Sequence, residues 1–150
     1  MPIKIKNIGH RFLLVCLLLG IFCTSGIAWA SEPYEVIANS SVAEKTLSKS
    51  TLRAIFGMRL HTWPDGATVR VFVMPDDAPL HIAFSKEKLN TFPYQLRLAW
   101  DRLVFSGTGQ APDTVSSAEE MLARVASTPG AIGYLPKSKI DGRVHALQIK

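Results

Sequence analysis

Strand-like and helix-like segments alternate between residues 34 and 149, and this alternation constrains the fold more than any other feature of the sequence. Short β-branched and apolar runs predict strands, whereas apolar residues spaced i, i+3 and i+4 predict helices. The gaps between strands are too long for simple hairpins, which favours a mixed, mainly parallel sheet covered by helices. The sequence therefore predicts one α/β domain.

Four strands are predicted. The second of them places Val69, Val71 and Val73 on one face, because side chains alternate along a strand, and Pro75 ends it. A loop containing Asp141 and Gly142 separates the last two strands. The predicted strands cover residues 34–39, 68–74, 131–135 and 144–149.

The first two helices are predicted from their ends. Ser48 can accept a hydrogen bond from the first turn of a helix that ends at Gly57. Asp76 or Asp77 is predicted to cap a second helix, with Pro79 in its first turn, where a missing N–H costs nothing.

Two further helices follow. Ser116 with Glu119 and Ser117 with Glu120 form overlapping capping boxes, which predict the start of a helix that runs to about residue 127. The helix before it has the clearest apolar stripe in the chain, so this stripe is expected to face the core. The stripe consists of Leu96, Ala99, Trp100, Leu103 and Val104.

The first 30 residues have the three parts of a secretory signal peptide. Basic residues precede the apolar residues 12–23, and Ala28 and Ala30 supply the small residues of a cleavage site before Ser31. We expect residues 1–30 to be removed and residues 31–150 to form one periplasmic domain. A membrane anchor is the alternative, but spanning a bilayer takes about 20 apolar residues, so no membrane span is expected after signal removal.

Composition narrows the possible functions. Three of the 17 basic residues and none of the 12 acidic residues lie in the first 30, which leaves a formal charge of +2 on the remainder. This near neutrality, without any Lys/Arg run, argues against a nucleic-acid partner. Both cysteines, Cys16 and Cys23, also lie in the predicted signal peptide. The expected exported chain therefore has no thiol nucleophile, disulfide or zinc–thiolate site.

No residue pattern predicts catalysis, a metal or a cofactor. His61, His81 and His145 are too far apart in sequence for a typical ligand motif, so we expect surface or half-buried histidines. No Gly-x-Ser-x-Gly nucleophile motif occurs. The adjacent Asp76 and Asp77 could serve as an acid/base pair, but their place between a strand and a helix favours capping. We therefore expect a non-catalytic protein with no cofactor.

Two segments carry a family resemblance. The helix that ends in Ile55-Phe-Gly57 and is followed by Trp63-Pro-Asp-Gly66 resembles a segment of the phosphate-binding proteins of ABC importers. The run Val125-Ala-Ser-Thr-Pro-Gly-Ala-Ile-Gly-Tyr134 resembles a second segment of the same family. That family implies the type 2 periplasmic-binding fold, in which two α/β lobes, each a sheet between two layers of helices, close on a ligand. The resemblance covers residues 34–149 and extends to the second lobe only.

The sequence departs from that family where the phosphate is held. The family carries an Arg, an acid and then Ser-Gly-Thr opening a helix, which together supply charge and donors to an oxyanion. Met74 falls at the expected Arg, and Asp76 can stand for the acid. Ala78, Pro79 and Leu80 occupy the Ser-Gly-Thr region, so two hydroxyls and one backbone donor are lost.

Two functions remain open. The first is weak binding of a small phosphate-like anion at the surviving helix N-terminus, for which the candidate ligand-binding residues are Asp76, Asp77, Ala78 and Leu80. The second is a protein–protein interaction module that has lost phosphate binding and forms a homodimer or binds an envelope protein. Fold alone does not decide between them.

Overall fold

The computed structural model describes residues 32–150, so the predicted signal peptide lies outside the described residues. The six strands are β1 (Tyr34–Asn39), β2 (Thr46–Leu47), β3 (Arg70–Val73), β4 (Asp113–Thr114), β5 (Ala131–Pro136) and β6 (Val144–Ile149). The helices are α1 (Lys49–Phe56), α2 (Pro79–Glu87), α3 (Pro93–Phe105) and α4 (Ala118–Ser127), and a short 3-10 helix spans Lys137–Lys139.

All six strands form one sheet in the order β2-β6-β1-β5-β3-β4. Strand β1 runs antiparallel to both of its neighbours, β5 and β6, whereas the remaining pairings are parallel. Five strands therefore share one direction, which confirms the predicted mixed, mainly parallel sheet. The β1–β5 register sets Val36 opposite Tyr134 and Ile37 opposite Gly133.

Helix α4 covers one face of the sheet. The Asn39 side chain on that face donates hydrogen bonds of 2.8 Å to the carbonyl oxygens of Val125 and Ala126. A Cβ at Gly133 would lie 2.5 Å from the sulfur of Met121. Glycine at position 133 therefore lets α4 approach the centre of the sheet closely.

Helices α1, α2 and α3 cover the opposite face around Tyr134. The Phe84 ring stacks on Tyr134 at 4.1 Å between centroids and contacts Phe56 at 4.7 Å. The Trp100 indole N–H donates to the Phe56 carbonyl oxygen at 2.8 Å, which ties α3 to the end of α1. With α4 on one face and three helices on the other, the domain has the three layers expected from the sequence.

The structure confirms most of the predicted element ends. Ser48 caps α1 by accepting from the Thr51 N–H, and Ser117 caps α4 by accepting from the Glu120 N–H. The predicted strand at residues 68–74 is shorter, spanning Arg70–Val73. The two-residue strands β2 and β4 were not predicted, because two residues carry no periodicity.

Two predictions were wrong. The residue at the N-cap of α2 is Ala78, without a side-chain hydrogen bond, so neither Asp76 nor Asp77 caps this helix. The apolar stripe of α3 faces the core only in part, because Leu96 and Trp100 are buried whereas Val104 is 47% exposed. Within residues 32–150, no helix has both the length and the apolar character that crossing a bilayer requires.

Candidate functional site

The candidate site lies where the carboxyl end of β3 leads into α2. Strand β3 ends at Val73 and α2 begins at Pro79, so the connection brings Asp76 and Ala78 next to the helix N-terminus. The first-turn N–H groups of a helix have no partner within it. Leu80 and His81 supply two such groups, whereas Pro79 has no N–H. The helix N-terminus therefore offers two backbone donors and a partial positive charge.

Asp76 forms a two-pronged ion pair with Arg97 of α3. The Arg97 Nε lies 3.1 Å from Oδ2, and Nη2 lies 3.0 Å from Oδ1. The hydrogen bonds to Asp76 raise the pKa of the Arg97 guanidinium. The guanidinium also lies 5.1 Å from the Trp100 ring, which fixes its plane from the other side. This pairing explains why Asp76 does not cap α2: its carboxylate turns to a neighbouring helix.

Arg97 is the functional candidate that sequence reasoning missed. It is 21 positions from Asp76 along the chain, and no local spacing links an arginine on α3 to the connection before α2. Met74 occupies the position at which the family resemblance predicts an arginine. Met74 is buried, and its backbone N–H donates to the Tyr134 hydroxyl. A guanidinium is nevertheless present beside the acid, supplied by a different helix.

The other predicted site residues do not converge. Asp77 is exposed, and Ala78 contributes only backbone at the helix start. The Leu80 side chain lines a small apolar cleft of about 200 Å³ with Tyr34 and Ala83. Of the four candidates, only Asp76 joins a polar cluster with a neighbouring element.

A buried hydrogen-bond chain lies beneath the ion pair. The Met74 N–H donates to the Tyr134 hydroxyl at 2.8 Å. The single proton of that hydroxyl is then directed to His81 Nδ1, 2.5 Å away. His81 Nδ1 therefore accepts, and the neutral imidazole carries its own proton on Nε2. Sequence reasoning placed His81 among surface or half-buried histidines, whereas the structure buries it completely.

The hydrogen-bond chain ends at His81, close to Asp76. His81 Nε2 is buried without a hydrogen-bond partner among the described residues and lies 4.0 Å from Asp76 Oδ1. Burial lowers the pKa of His81, an effect that the Asp76 charge opposes and the Arg97 charge reinforces. Burial also raises the pKa of Tyr134, so its hydroxyl stays protonated and available as a donor at neutral pH. The network is thus neutral inside and ionic at its outer end.

The arrangement is poorly suited to acid/base chemistry. His81 is fully buried, and its Nδ1 already accepts from Tyr134. The outer end offers the two N–H donors of α2 and one guanidinium, which Asp76 already engages. The carboxylates of Asp76 and Asp77 repel a dianion, so this surface favours an oxyanion that carries a proton to share with a carboxylate.

The other histidines belong to separate places. His61 is exposed, and His145 Nε2 lies 3.1 Å from the Glu44 carbonyl oxygen. Within the part of the chain that the structure describes, no three His, Cys, Asp or Glu side chains come together as metal ligands.

Comparison with known proteins identifies the architecture. No family model and no curated protein matches the sequence significantly. Solved structures do match. A putative phosphate ABC transporter substrate-binding protein with bound phosphate from Clostridium perfringens superposes with a TM-score of 0.64 at 16% identity. PstS from Borrelia burgdorferi gives 0.60 at 14%, and an ABC-type phosphate transport receptor from Vibrio cholerae gives 0.59 at 14%.

The extent of these matches shows what is shared. Each covers 79% of this chain but only 45–47% of the solved structure. The chain thus spans under half the length of the proteins it matches. It has the fold of a single lobe of a phosphate substrate-binding protein, which confirms the fold implied by the sequence resemblance.

Proposed function

We propose that this chain is an exported, non-catalytic solute-binding-like protein that binds a small phosphate-like anion weakly at the N-terminus of α2. The observation that carries the proposal is the ion pair of Asp76 with Arg97, which ties a guanidinium to the connection that leads into α2. Guanidinium groups and helix N-termini both bind oxyanions. The single-lobe fold, shared with proteins named for phosphate transport or binding, supports the same surface.

The expected affinity is low for three reasons. Arg97 is already neutralised by Asp76, so an anion must compete with a carboxylate for the guanidinium. Pro79 removes one donor from the first turn. The hydroxyls of the family motif are missing, and each charge-assisted hydrogen bond lost removes roughly 1.5–3 kcal/mol. We therefore expect a dissociation constant in the millimolar range, not the micromolar range.

Thermal unfolding with added anions tests the proposal. The protein is purified from cells that express the full chain and is unfolded with 0.1–50 mM phosphate or sulfate at constant ionic strength. If the phosphate dissociation constant is about 1 mM, then 10 mM phosphate stabilises the protein by about 1.4 kcal/mol. Sulfate, which carries no proton near neutral pH to share with Asp76, is expected to stabilise less.

The matched variants are Arg97→Gln and Arg143→Gln. Arg143 forms a comparable ion pair with Asp141, with Nη2 2.8 Å from Oδ2, but it precedes β6 at the opposite end of the sheet. Arg97→Gln should abolish the phosphate shift, and Arg143→Gln should keep it. Saturation by micromolar phosphate would contradict the proposed weak binding, and an equal response in both variants would remove the site from α2.

A second candidate function is self-association through the outer face of α3. This face carries Tyr94, Leu98 and Phe105, which are 60%, 52% and 87% exposed. Their spacing of four and seven residues places them on one side of the helix. Helix α3 is thus apolar on its core side and on its outer side, a pattern that favours a partner. We name a second copy of the chain as that partner.

The oligomeric state tests the second candidate. Leu98→Asp should convert a dimer to a monomer by sedimentation or light scattering. Ile82→Asp, which changes an exposed apolar residue of α2, should leave the dimer intact. A wild-type protein that stays monomeric at about 100 μM would contradict self-association at a physiologically useful strength.

A further inference from the structure

We infer that the chain has a second ligand site, a groove beside α3 that binds a free organic carboxylate with an apolar body. The groove has a volume of about 430 Å³ and lies between the end of α1, the α2–α3 connection and α3. Its volume falls in the range of small-molecule sites. The groove shares no lining residue with the proposed phosphate surface.

The floor of the groove is apolar. Leu89 and Leu96 lie beneath it and are almost fully buried, at 3% and 8% exposure. Ala99 and Leu103, both half-buried, complete it along α3. A ligand that covers this floor removes apolar surface from water, and each methylene it buries fully tightens binding roughly fourfold.

The rim of the groove is cationic. Arg53, Arg59 and Arg102 line it, and all three side chains are exposed. Within residues 32–150, none of the three guanidinium groups lies within ion-pairing distance of a carboxylate. Each is thus available to a ligand, in contrast to Arg97, which Asp76 engages.

Three uncompensated positive charges around an apolar floor select a particular chemistry. An inorganic anion would leave the floor uncovered, and a neutral apolar molecule would leave the guanidinium groups without a partner. A carboxylate at one end of an aliphatic or aromatic body satisfies both parts. Gln95 and Thr91 also line the groove and add neutral polar groups at its edge.

The groove is separate from the proposed phosphate surface. Successive residues of a helix turn by about 100°, so Arg97 and Ala99 point to nearly opposite sides of α3. Carboxylate binding in the groove therefore does not require phosphate binding at the N-terminus of α2. A protein that fails to bind phosphate can still bind a carboxylate in the groove.

The experiment uses octanoate as the probe, with butyrate and octanamide as controls, and the protein purified from cells that express the full chain. Binding is followed by backbone amide NMR shifts and by calorimetry. We expect octanoate to bind at least about tenfold more tightly than butyrate, because four more methylenes cover the floor. Octanamide, which lacks the charge, should also bind several-fold more weakly. The shifts should centre on Thr91, Ala99 and Leu103.

Two variants separate the floor from the rim. Ala99→Phe fills the groove without changing the charge and should abolish octanoate binding. Arg102→Gln should weaken it roughly three- to fivefold, as expected for one exposed charge pair. The control Arg124→Gln removes a guanidinium from α4, on the other face of the sheet, and should leave binding unchanged.

Three results would overturn the inference. The first is no octanoate binding at 10 mM, a concentration well above the dissociation constant expected for this groove. The second is equal affinity for octanoate and octanamide, which would remove the role of the arginines. The third is unchanged binding in Ala99→Phe when NMR shows that the variant is folded, since that would place the ligand elsewhere.

Discussion

Replacing Tyr134 with phenylalanine tests the buried chain beneath the candidate site. The substitution removes one oxygen and keeps the ring that stacks on Phe84 at 4.1 Å. That oxygen has two partners, the Met74 N–H at 2.8 Å and His81 Nδ1 at 2.5 Å. Met74 is 6% exposed and His81 is fully buried, so water cannot readily replace the lost partner.

The magnitude follows from the two groups left without a partner. Each buried polar group that loses its only hydrogen bond costs roughly 1–3 kcal/mol. The phenylalanine ring avoids the desolvation of a hydroxyl, which offsets part of this cost. We therefore expect Tyr134→Phe to lower the free energy of unfolding by about 2–4 kcal/mol. For a domain of this size, that corresponds to a fall in Tm on the order of 10 °C.

Tyr34→Phe is the matched control. Tyr34 also lies in the sheet and donates one hydrogen bond, to Glu87 Oε2 at 2.7 Å. Glu87 is exposed, so its carboxylate can turn to water when the hydroxyl is removed. We expect this control to cost less than about 1 kcal/mol. Urea unfolding measures both variants, and an unchanged m-value shows that the midpoint shift reports stability.

Equal losses of unfolding free energy in Tyr134→Phe and Tyr34→Phe would contradict this expectation. A cost below about 1 kcal/mol for Tyr134→Phe would mean that water reaches Met74 and His81, so that the chain is not dry.

Three further predictions concern the backbone, the ion pair and pH. Gly130→Ala should be severely destabilising in urea unfolding, because φ at this position is +73° and a Cβ would lie 2.1 Å from the Thr68 carbonyl oxygen. The control Gly66→Ala has a φ of +87° but open space around it, so it should cost only about 1 kcal/mol. A double-mutant cycle with Asp76→Asn and Arg97→Gln should give a coupling free energy of unfolding of about 1 kcal/mol, because both side chains are 37% exposed and water screens the ion pair. A coupling free energy of zero would contradict the ion-pair geometry. Because burial lowers the folded-state pKa of His81, its neutral form stabilises the fold fully above the unfolded pKa of about 6.5, and this stabilisation declines as the pH falls through that value. Unfolding measured at pH 7.5 and 5.5 should show this loss, and a folded His81→Gln variant should show less of it.

The fold was largely predictable because it follows from local signals. The Ser48 and Ser117 caps were identified from residue type and spacing, since a cap involves only its own first turn. The proline and glycine of Trp63-Pro64-Asp65-Gly66 are typical turn residues, and Gly66 adopts a positive φ of 87°. The strands β1, β5 and β6 matched their predicted positions to within one residue.

At the candidate site, the sequence indicated Asp76 but not the residues that contact it. Asp76 was identified, yet its role as a cap was wrong because Arg97 offers a stronger, charged partner than the N–H groups of α2. His81 could not be distinguished from a surface histidine, since its burial depends on Tyr134, 53 residues away. The exposed outer face of α3 was also not predicted, because the sequence does not show which of two opposite apolar sides of a helix meets the core.

The amino-acid sequence by itself determined where most of the longer strands and helices begin, that Ser48 and Ser117 cap their helices, and that a mainly parallel sheet results. Those features depend on interactions within a few residues, so local residue types are sufficient to specify them. Only the tertiary structure decided which polar groups meet. Arg97 reaches Asp76, Tyr134 reaches His81, and three arginines surround one groove because the sheet order brings distant segments together. Long-range contacts of this kind leave no periodic trace in the chain that forms them.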